Sequence, residues 1–383
     1  MDLSVSTVPR VGVAQNELTL FVESPAAIAA MVDDIRSART RVWLESYIIA
    51  DDTAGQAVAE ALKERARAGV NVRVLYDPIG SRATPAAFFR DLAHAGVEVH
   101  AFNPLWEGLR RFSLLRLLNR RNHRKLLVID DRIAYFGGMN IVDTSTAATV
   151  ESPGWRDVHV RLCGPQQPEV ALSFERSWRL AHGERVERRP RGYRRALLSS
   201  GAESIQFFDS GPGMRHTRAG RLYARLFRAA RRCIRMSMAY FVPVGRVLRE
   251  LLRAHRRGVF IQVVVPGQSD IPLVQRATRH LYTRLLRRRF HIYERQRNML
   301  HSKATVVDDQ WTVIGSANLE ARGLWINLEF LAVIHSRELA RVVTQIIQAE
   351  IDQSHRMRLR DYCRRSWWDR LLDRLAWSLR WWL

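Results

Sequence analysis

Lysine is the residue this chain does almost without. Of its 61 lysines and arginines only Lys63, Lys125 and Lys303 are lysines, and arginine supplies every other fixed positive charge. Cysteine is scarce as well. Cys163, Cys233 and Cys363 are odd in number and far apart, which excludes a disulfide framework or a clustered thiolate metal site and suits a reducing compartment. No run of 18 uninterrupted apolar residues occurs, so no membrane-crossing helix is expected. The N-terminal stretch MDLSVSTVPRVGVAQNEL lacks both a basic and an apolar leader region, which argues against a signal peptide.

What is present in excess is arginine. The net charge is +23 at a length of 383 residues, enough chain for two domains. Such a surplus favours polyanions, whether nucleic acid, anionic lipid or phosphorylated substrates, without choosing among them.

Two of the three lysines occupy one frame. HRKLLVIDDRIAYFGGMNI (123–141) aligns without a gap on HSKATVVDDQWTVIGSANL (301–319), 178 residues later, with seven of nineteen positions identical. The preceding segments echo one another too: VWLESYII and GVNVRVLYD in the first half, IRMSMAYF and GVFIQVVVP in the second. A repeat of this size implies a duplicated domain. Each half alternates β-rich apolar runs with amphipathic helical windows, which predicts an α/β sandwich with a mixed sheet. We expect a first domain at 1–182, an Arg-rich linker at 183–202, a second domain at 203–357 and an amphipathic C-terminal helix at 358–383.

In each frame His and Lys stand two apart, so on an extended strand they share one face. The Asp, seven residues after the His, points away, and with the Asp that follows it reads as a hairpin turn. Asp130 and Asp308 are therefore assigned mainly to structure, and Asp131 and Asp309 to the turn. The next strand ends in Gly137, Gly138 and Asn140, or in Gly315, Ser316 and Asn318, where glycine permits close backbone approach and Asn or Ser can donate to a phosphoryl oxygen. One half supplies half a site. Two halves facing each other supply two His, two Lys and two Asn, a set suited to phosphodiester exchange. One imidazole attacks phosphorus and the other shuttles the proton, while ammonium and amide groups hold the oxygens. A compact ammonium is not replaced by a planar guanidinium, which explains why lysine survives at these positions. No carboxylate set is spaced for two divalent ions, so no metal and no cofactor is expected.

An attacking imidazole needs an acid on its far nitrogen. Glu329, 28 residues after His301, is one candidate, and Asp157 stands at a comparable distance after His123. His94, His216 and His280 have no repeated context and are read as surface or core. Lys63, in the helical stretch EALKERARAG, is expected to be solvated. The C-terminal segment carries Trp367, Trp368, Leu371, Leu372, Leu375, Leu379 and Trp382 near one helical stripe, with Arg and Asp between, and reads as an interfacial helix. A second basic amphipathic segment, 105–122, could line the entrance to a lipid site.

These motifs, with YIIADDTAG (47–55), FNP (102–104) and WRDVHVRLCGP (155–165), resemble the phospholipase D superfamily, and more finely its bacterial cardiolipin synthases in a short form without N-terminal transmembrane helices. The resemblance covers roughly residues 17–350. It implies two pseudo-symmetric phospholipase D-type α/β sandwich domains with mixed sheets and the active site between them. It implies His123, Lys125, Asp130, His301, Lys303 and Asp308 as the catalytic set, with Asn140, Asn318, Ser316, Asp157 and Glu329 binding or orienting the phosphate. It also implies transfer of a phosphatidyl group to phosphatidylglycerol through a phosphohistidine, at an anionic phospholipid membrane, peripheral on the cytoplasmic side. Lipid hydrolysis and a metal-independent nuclease are the alternatives. The Trp-rich tail disfavours nucleic acid as partner, and no obligate protein partner is evident. The symmetric motifs leave open which histidine attacks; we expect His123 as nucleophile and His301 as general acid.

Overall fold

The computed structural model describes residues 8–103, 120–143, 154–184, 186, 201–211, 218–363 and 365–382. Most of the expected linker and nearly all of the 105–122 segment lie outside them.

The first half supplies β1 (Arg10–Val13), β2 (Asn16–Glu23), β3 (Arg41–Ser46), β4 (Asn71–Tyr76), β5 (Glu98–Ala101), β6 (Leu126–Ile129), β7 (Ile133–Gly137) and β8 (Trp155–Cys163). The second supplies β9 (Ser204–Ser210), β10 (Cys233–Met238), β11 (Phe260–Pro266), β12 (His291–Arg295), β13 (Met299–Leu300), β14 (Lys303–Val307), β15 (Trp311–Gly315), β16 (Glu329–His335) and β17 (Ser354–Arg356). They form two mixed sheets, ordered β1-β2-β8-β7-β6-β3-β4-β5 and β17-β12-β11-β10-β14-β15-β16-β9. In each, three consecutive strands run parallel (β3-β4-β5, β10-β11-β12) and the doubled motif forms an antiparallel hairpin (β6-β7, β14-β15). The expected pair of mixed-sheet α/β sandwiches is thus the fold. β13 crosses from the second half to pair with β8 of the first.

The hairpin strands are apolar on both sides because both sides are covered. Leu126 and Val128 of β6 enter the core between the two sheets, while Leu127 and Ile129 enter the outer core of the first half. The outer cores are closed by α1 (Ser24–Arg36), α2 (Thr53–Arg67) and α3 (Ala86–His94) on the first sheet, and by α5 (Arg218–Ala229), α6 (Gly245–Arg256) and α7 (Pro272–Leu286) on the second. Between the sheets lie α4 (Gln167–Ala181), α8 (Arg337–Asp352) and the stacked rings of Phe207 and Phe330, 5.4 Å apart. Burying each such side chain contributes about 1.5–3 kcal/mol, so this shared core holds the two halves together.

Lys63 corrects an expectation. It is buried on α2, its Nζ 2.6 Å from both Glu60 and Asp91, because α3 packs over the stem that was read as solvated. The tail forms α9 (Leu359–Cys363) and α10 (Trp367–Ser378). α10 packs along α7 through Ala376 and Trp377, and the buried Asp373 accepts from Tyr362 at 2.8 Å and Arg365 at 2.6 Å. Every residue of the expected apolar stripe is exposed, up to 68% for Trp382. Among the described residues no helix is long and apolar enough to cross a membrane.

Candidate active site

The two motifs meet where the sheets abut. His123 and Lys125 lie in the extended lead-in to β6; His301 lies two residues before Lys303, the first residue of β14. Each lead-in is hydrogen-bonded to the opposite half: His123 N–H donates to Leu328 O at 3.0 Å, and His301 N–H to Arg156 O at 2.7 Å. His123, Lys125, His301 and Lys303 are all buried.

The acid partners are also exchanged. His123 Nδ1 lies 3.1 Å from Glu329 Oε1, and His301 Nδ1 lies 2.6 Å from Asp157 Oδ2. Spacing in the chain suggests a partner within each half, yet each histidine takes its carboxylate from the other half. The reason is the lead-in pairing, which places His123 beside Leu328, the residue before Glu329, and His301 beside Arg156, the residue before Asp157. In both, Nδ1 is engaged and Nε2 is the nitrogen left for chemistry. Lys303 Nζ lies 2.8 Å from His301 Nδ1 and 3.6 Å from Asp157 Oδ2. One Nδ1 cannot both donate to Asp157 and accept from Lys303. The carboxylate is the stronger acceptor, so Nδ1–H points to Asp157 and Lys303 supports that carboxylate.

Charge differs between the halves. Burial, reinforced by Lys125, Lys303 and His301, holds His123 well below the ordinary imidazole value. Burial also brings Lys125 down to about 7, and lowers Lys303 despite Asp157 nearby. Burial pushes Glu329 up to about 8 against the pull of Lys125 and Ser316. Burial pushes Asp157 up as well, but Lys303, His301 and the Val158 N–H outweigh it, and the carboxyl stays below its usual range. One histidine therefore faces a firmly charged carboxylate, and the other a carboxyl inclined to keep its proton.

The remaining expected residues divide. Ser316 Oγ donates to Glu329 and accepts from Phe330 N–H at 3.0 Å. Gly138 takes the equivalent place in the first half, because a Cβ there would come within 2.0 Å of Asp157 Oδ1. Asn140 lines a cleft with Asp157, His301, Trp155 and Met139, and its Oδ1 accepts from Ile48 N–H at 3.3 Å. Asn318 is buried, with Oδ1 lacking a hydrogen-bond partner among the described residues. Asp130 and Asp308 are turned away from the imidazoles. Asp130 accepts backbone N–H groups of Arg39, Thr40 and Arg41, and Asp308 those of Arg231, Arg232 and Cys233, so each ties its hairpin turn to the start of the neighbouring strand. Both have positive φ, 48° and 54°, which Asp tolerates better than most residues. This geometry is the structural role read from their odd offset and removes them from the group that could touch a reacting atom.

Sequence reasoning missed the supports. The Tyr47 ring lies edge-on 5.1 Å from the His123 ring, and Trp155 lies 5.2 Å from His301. Asn122 is clamped by Glu45 at 2.7 Å and by Asp77 at 2.9 Å, two buried carboxylates. The available signal was an acid inside or ending an apolar strand, as in VWLES and VRVLYD, since a buried carboxylate demands a partner.

A family model described as "Cardiolipin synthase, PLD-like domain" matches residues 31–153 and 223–351. The cardiolipin synthase of Listeria welshimeri is 30% identical over 354 residues, 92% of this chain and 72% of that protein. Cardiolipin synthase A of Klebsiella pneumoniae is 31% identical over 371 residues, 95% of this chain and 75% of its own length. Among solved structures, the phosphatidylserine synthase of Haemophilus influenzae shares the fold with a TM-score of 0.71 at 14% identity, covering 97% of this chain and 94% of that one.

Proposed function

This chain belongs to the phospholipase D-like cardiolipin synthase family, and we propose that it transfers a phosphatidyl group from a donor phospholipid, phosphatidylglycerol or phosphatidylethanolamine, to the head-group hydroxyl of phosphatidylglycerol, making cardiolipin. In the first displacement His123 Nε2 bonds to phosphorus and the bond to the donor's head-group alcohol oxygen breaks as His301 Nε2–H gives that oxygen its proton. In the second, His301, now neutral, takes the proton of the acceptor hydroxyl. That oxygen attacks the phosphohistidine, and His123 leaves unchanged. Lys125, Lys303, Asn140 and Asn318 hold the non-bridging oxygens while charge redistributes.

The observation that supports this reading is the crossed pairing of each Nδ1 with a carboxylate from the opposite half, which leaves each Nε2 for the exchange. The assignment of roles follows from the unequal electrostatics. A histidine kept neutral keeps a lone pair for attack, and one beside a charged Asp157 is better able to carry a proton. A phosphodiester goes in and a phosphodiester comes out, so positioning and proton transfer supply the catalysis. A peripheral seat on an anionic membrane is supported by the net charge of +23 and the exposed tryptophans of α10.

The test is an assay with phosphatidylglycerol vesicles in chelator. The parent should form cardiolipin, and His123→Ala and His301→Ala should not. Denaturing the enzyme during turnover should leave a phosphatidyl group on His123. Phosphatidic acid as sole product would indicate hydrolysis, and DNA cleavage without lipid product would overturn the proposal.

A further inference from the structure

The C-terminal segment reaches the active site by two routes. The first runs through Trp381, whose ring stacks on Trp325 with centroids 5.1 Å apart and planes 19° apart. Trp325 belongs to a single π-helical turn, Arg322–Ile326, inserted between Asn318 and Glu329. That turn is tight. Gly323 packs so closely on the Asn318 backbone that a Cβ would sit 2.7 Å from its carbonyl oxygen, and Gly323 N–H donates to the buried Glu320 carboxyl at 2.7 Å. Two residues past its end comes Leu328, whose N–H donates to Arg121 O and whose carbonyl accepts from His123 N–H. Three residues therefore separate the Trp381 stack from the backbone that carries the expected nucleophile.

The second route runs through α10 itself. Ala376 and Trp377 pack on Tyr240 and Val242 at the end of β10. Val242 N–H donates to Leu319 O at 2.9 Å, and Leu319 N–H to Tyr240 O at 3.2 Å, beside Asn318. The tail thus touches the middle of the segment running from Asn318 to Glu329 at Trp325, and backs its Asn318 end through Tyr240 and Val242.

The outer side of the same helix has nothing packed on it among the described residues. Trp367, Trp368, Leu371, Leu372, Leu375 and Trp382 are exposed, interleaved with the exposed Arg370 and Arg374. Apolar rings beside arginine match an anionic phospholipid surface, whose phosphates take the guanidinium groups as the rings enter the headgroup layer. π-turns mark places where backbone geometry is adjusted for function. We infer that the tail is a positioning element of the active site: seating its outer face on anionic lipid steadies the Trp325–Trp381 stack and, through it, the turn that holds Glu329 against His123. This rests on the phosphatidyl-transfer reading above for its catalytic consequence.

The experiment compares the parent, Trp381→Ala, Trp381→Phe and Trp325→Ala on two forms of phosphatidylglycerol, anionic vesicles and a short-chain form dissolved as monomers. Expected is faster turnover by the parent on vesicles than on monomers. Trp381→Ala should bind vesicles like the parent yet lose kcat there by about two- to tenfold, the range an aromatic pair supports. Trp381→Phe should recover most of that loss, and Trp325→Ala combined with Trp381→Ala should be no worse than either alone. An unchanged kcat in Trp381→Ala, or a loss wholly explained by weaker vesicle binding, overturns the inference. A second readout needs no turnover. 5-Fluorotryptophan at position 325 should shift its fluorine resonance when phosphatidylglycerol vesicles are added to the parent, and not in Trp381→Ala. A shift in a parent that makes no lipid product would keep the coupling and discard the transferase; product without a shift would do the reverse.

Discussion

Asp157→Asn separates the roles of the two histidines. The substitution keeps size and removes the charge that lies 2.6 Å from His301 Nδ1. A hydrogen bond to a charged group, such as that between a carboxylate and an imidazolium, is worth about 1.5–3 kcal/mol. At about 1.36 kcal/mol per pKa unit, His301 should lose roughly one to two units of basicity. Burial and Lys303 already hold His301 below the ordinary imidazole value, and Asp157 is what opposes them. The sign follows: without Asp157 the imidazolium is present only at lower pH, so the alkaline limb of kcat/KM should move down by about one to two units. At neutral pH turnover should fall by roughly ten- to a hundredfold. The assay uses two donors, phosphatidylglycerol and its p-nitrophenyl counterpart, whose phenolate leaves without a proton. The deficit should shrink to within about threefold on the aryl donor if His301 is the acid. Glu329→Gln, acting on the histidine expected to attack, should be equally deficient on both. Equal deficits of Asp157→Asn on the two donors, or an alkaline limb that does not move, would refute the assignment.

Lys125→Arg and Lys303→Arg should each cut turnover by at least about a hundredfold with little change in Tm. Both ammoniums sit in enclosed places a guanidinium does not fit, Lys125 2.7 Å from His123 O and Lys303 fully buried. Activity and thermal melts check this. Gly138→Ala should cost at least about tenfold in turnover, because the added Cβ would displace the Asp157 carboxylate; a crystal structure would show the shift. Asp130→Ala should lower stability by about 1–2 kcal/mol, a low figure because the carboxylate is partly solvated, while kcat of the folded protein stays within about threefold. Backbone donors hold that carboxyl below its usual range against the upward push of burial. Its contribution should therefore be present above the unfolded carboxylate value and vanish as pH falls through the folded one, which chemical denaturation at several pH values measures.

The sequence by itself determined the duplicated unit, its strands and the hairpin in each motif, because these rest on short-range patterns. Period-two apolar runs, paired aspartates at a turn and a gapless repeat are all local. It also picked out the lysines of the site, since a chain that uses arginine elsewhere and keeps lysine twice in one frame reports a demand on shape as well as charge. The odd offset of Asp130 and Asp308 was enough to turn them away from the histidines. What only the tertiary structure decided is who pairs with whom. Glu329 serves His123 from 206 residues away, because lead-in strands exchange between the halves and no local pattern records that exchange. The same holds for charge. Whether a carboxyl keeps its proton depends on burial and on which ammoniums surround it, so Asp157 and Glu329, equivalent in the repeat, end up unlike. Lys63 looked solvated until α3 was packed over it, and the tail read as one amphipathic stripe until folding divided it into a face against α7 and a face left outward. Burial is a property of the assembled surfaces, and it sets both the electrostatics of the site and the exposure of the tail.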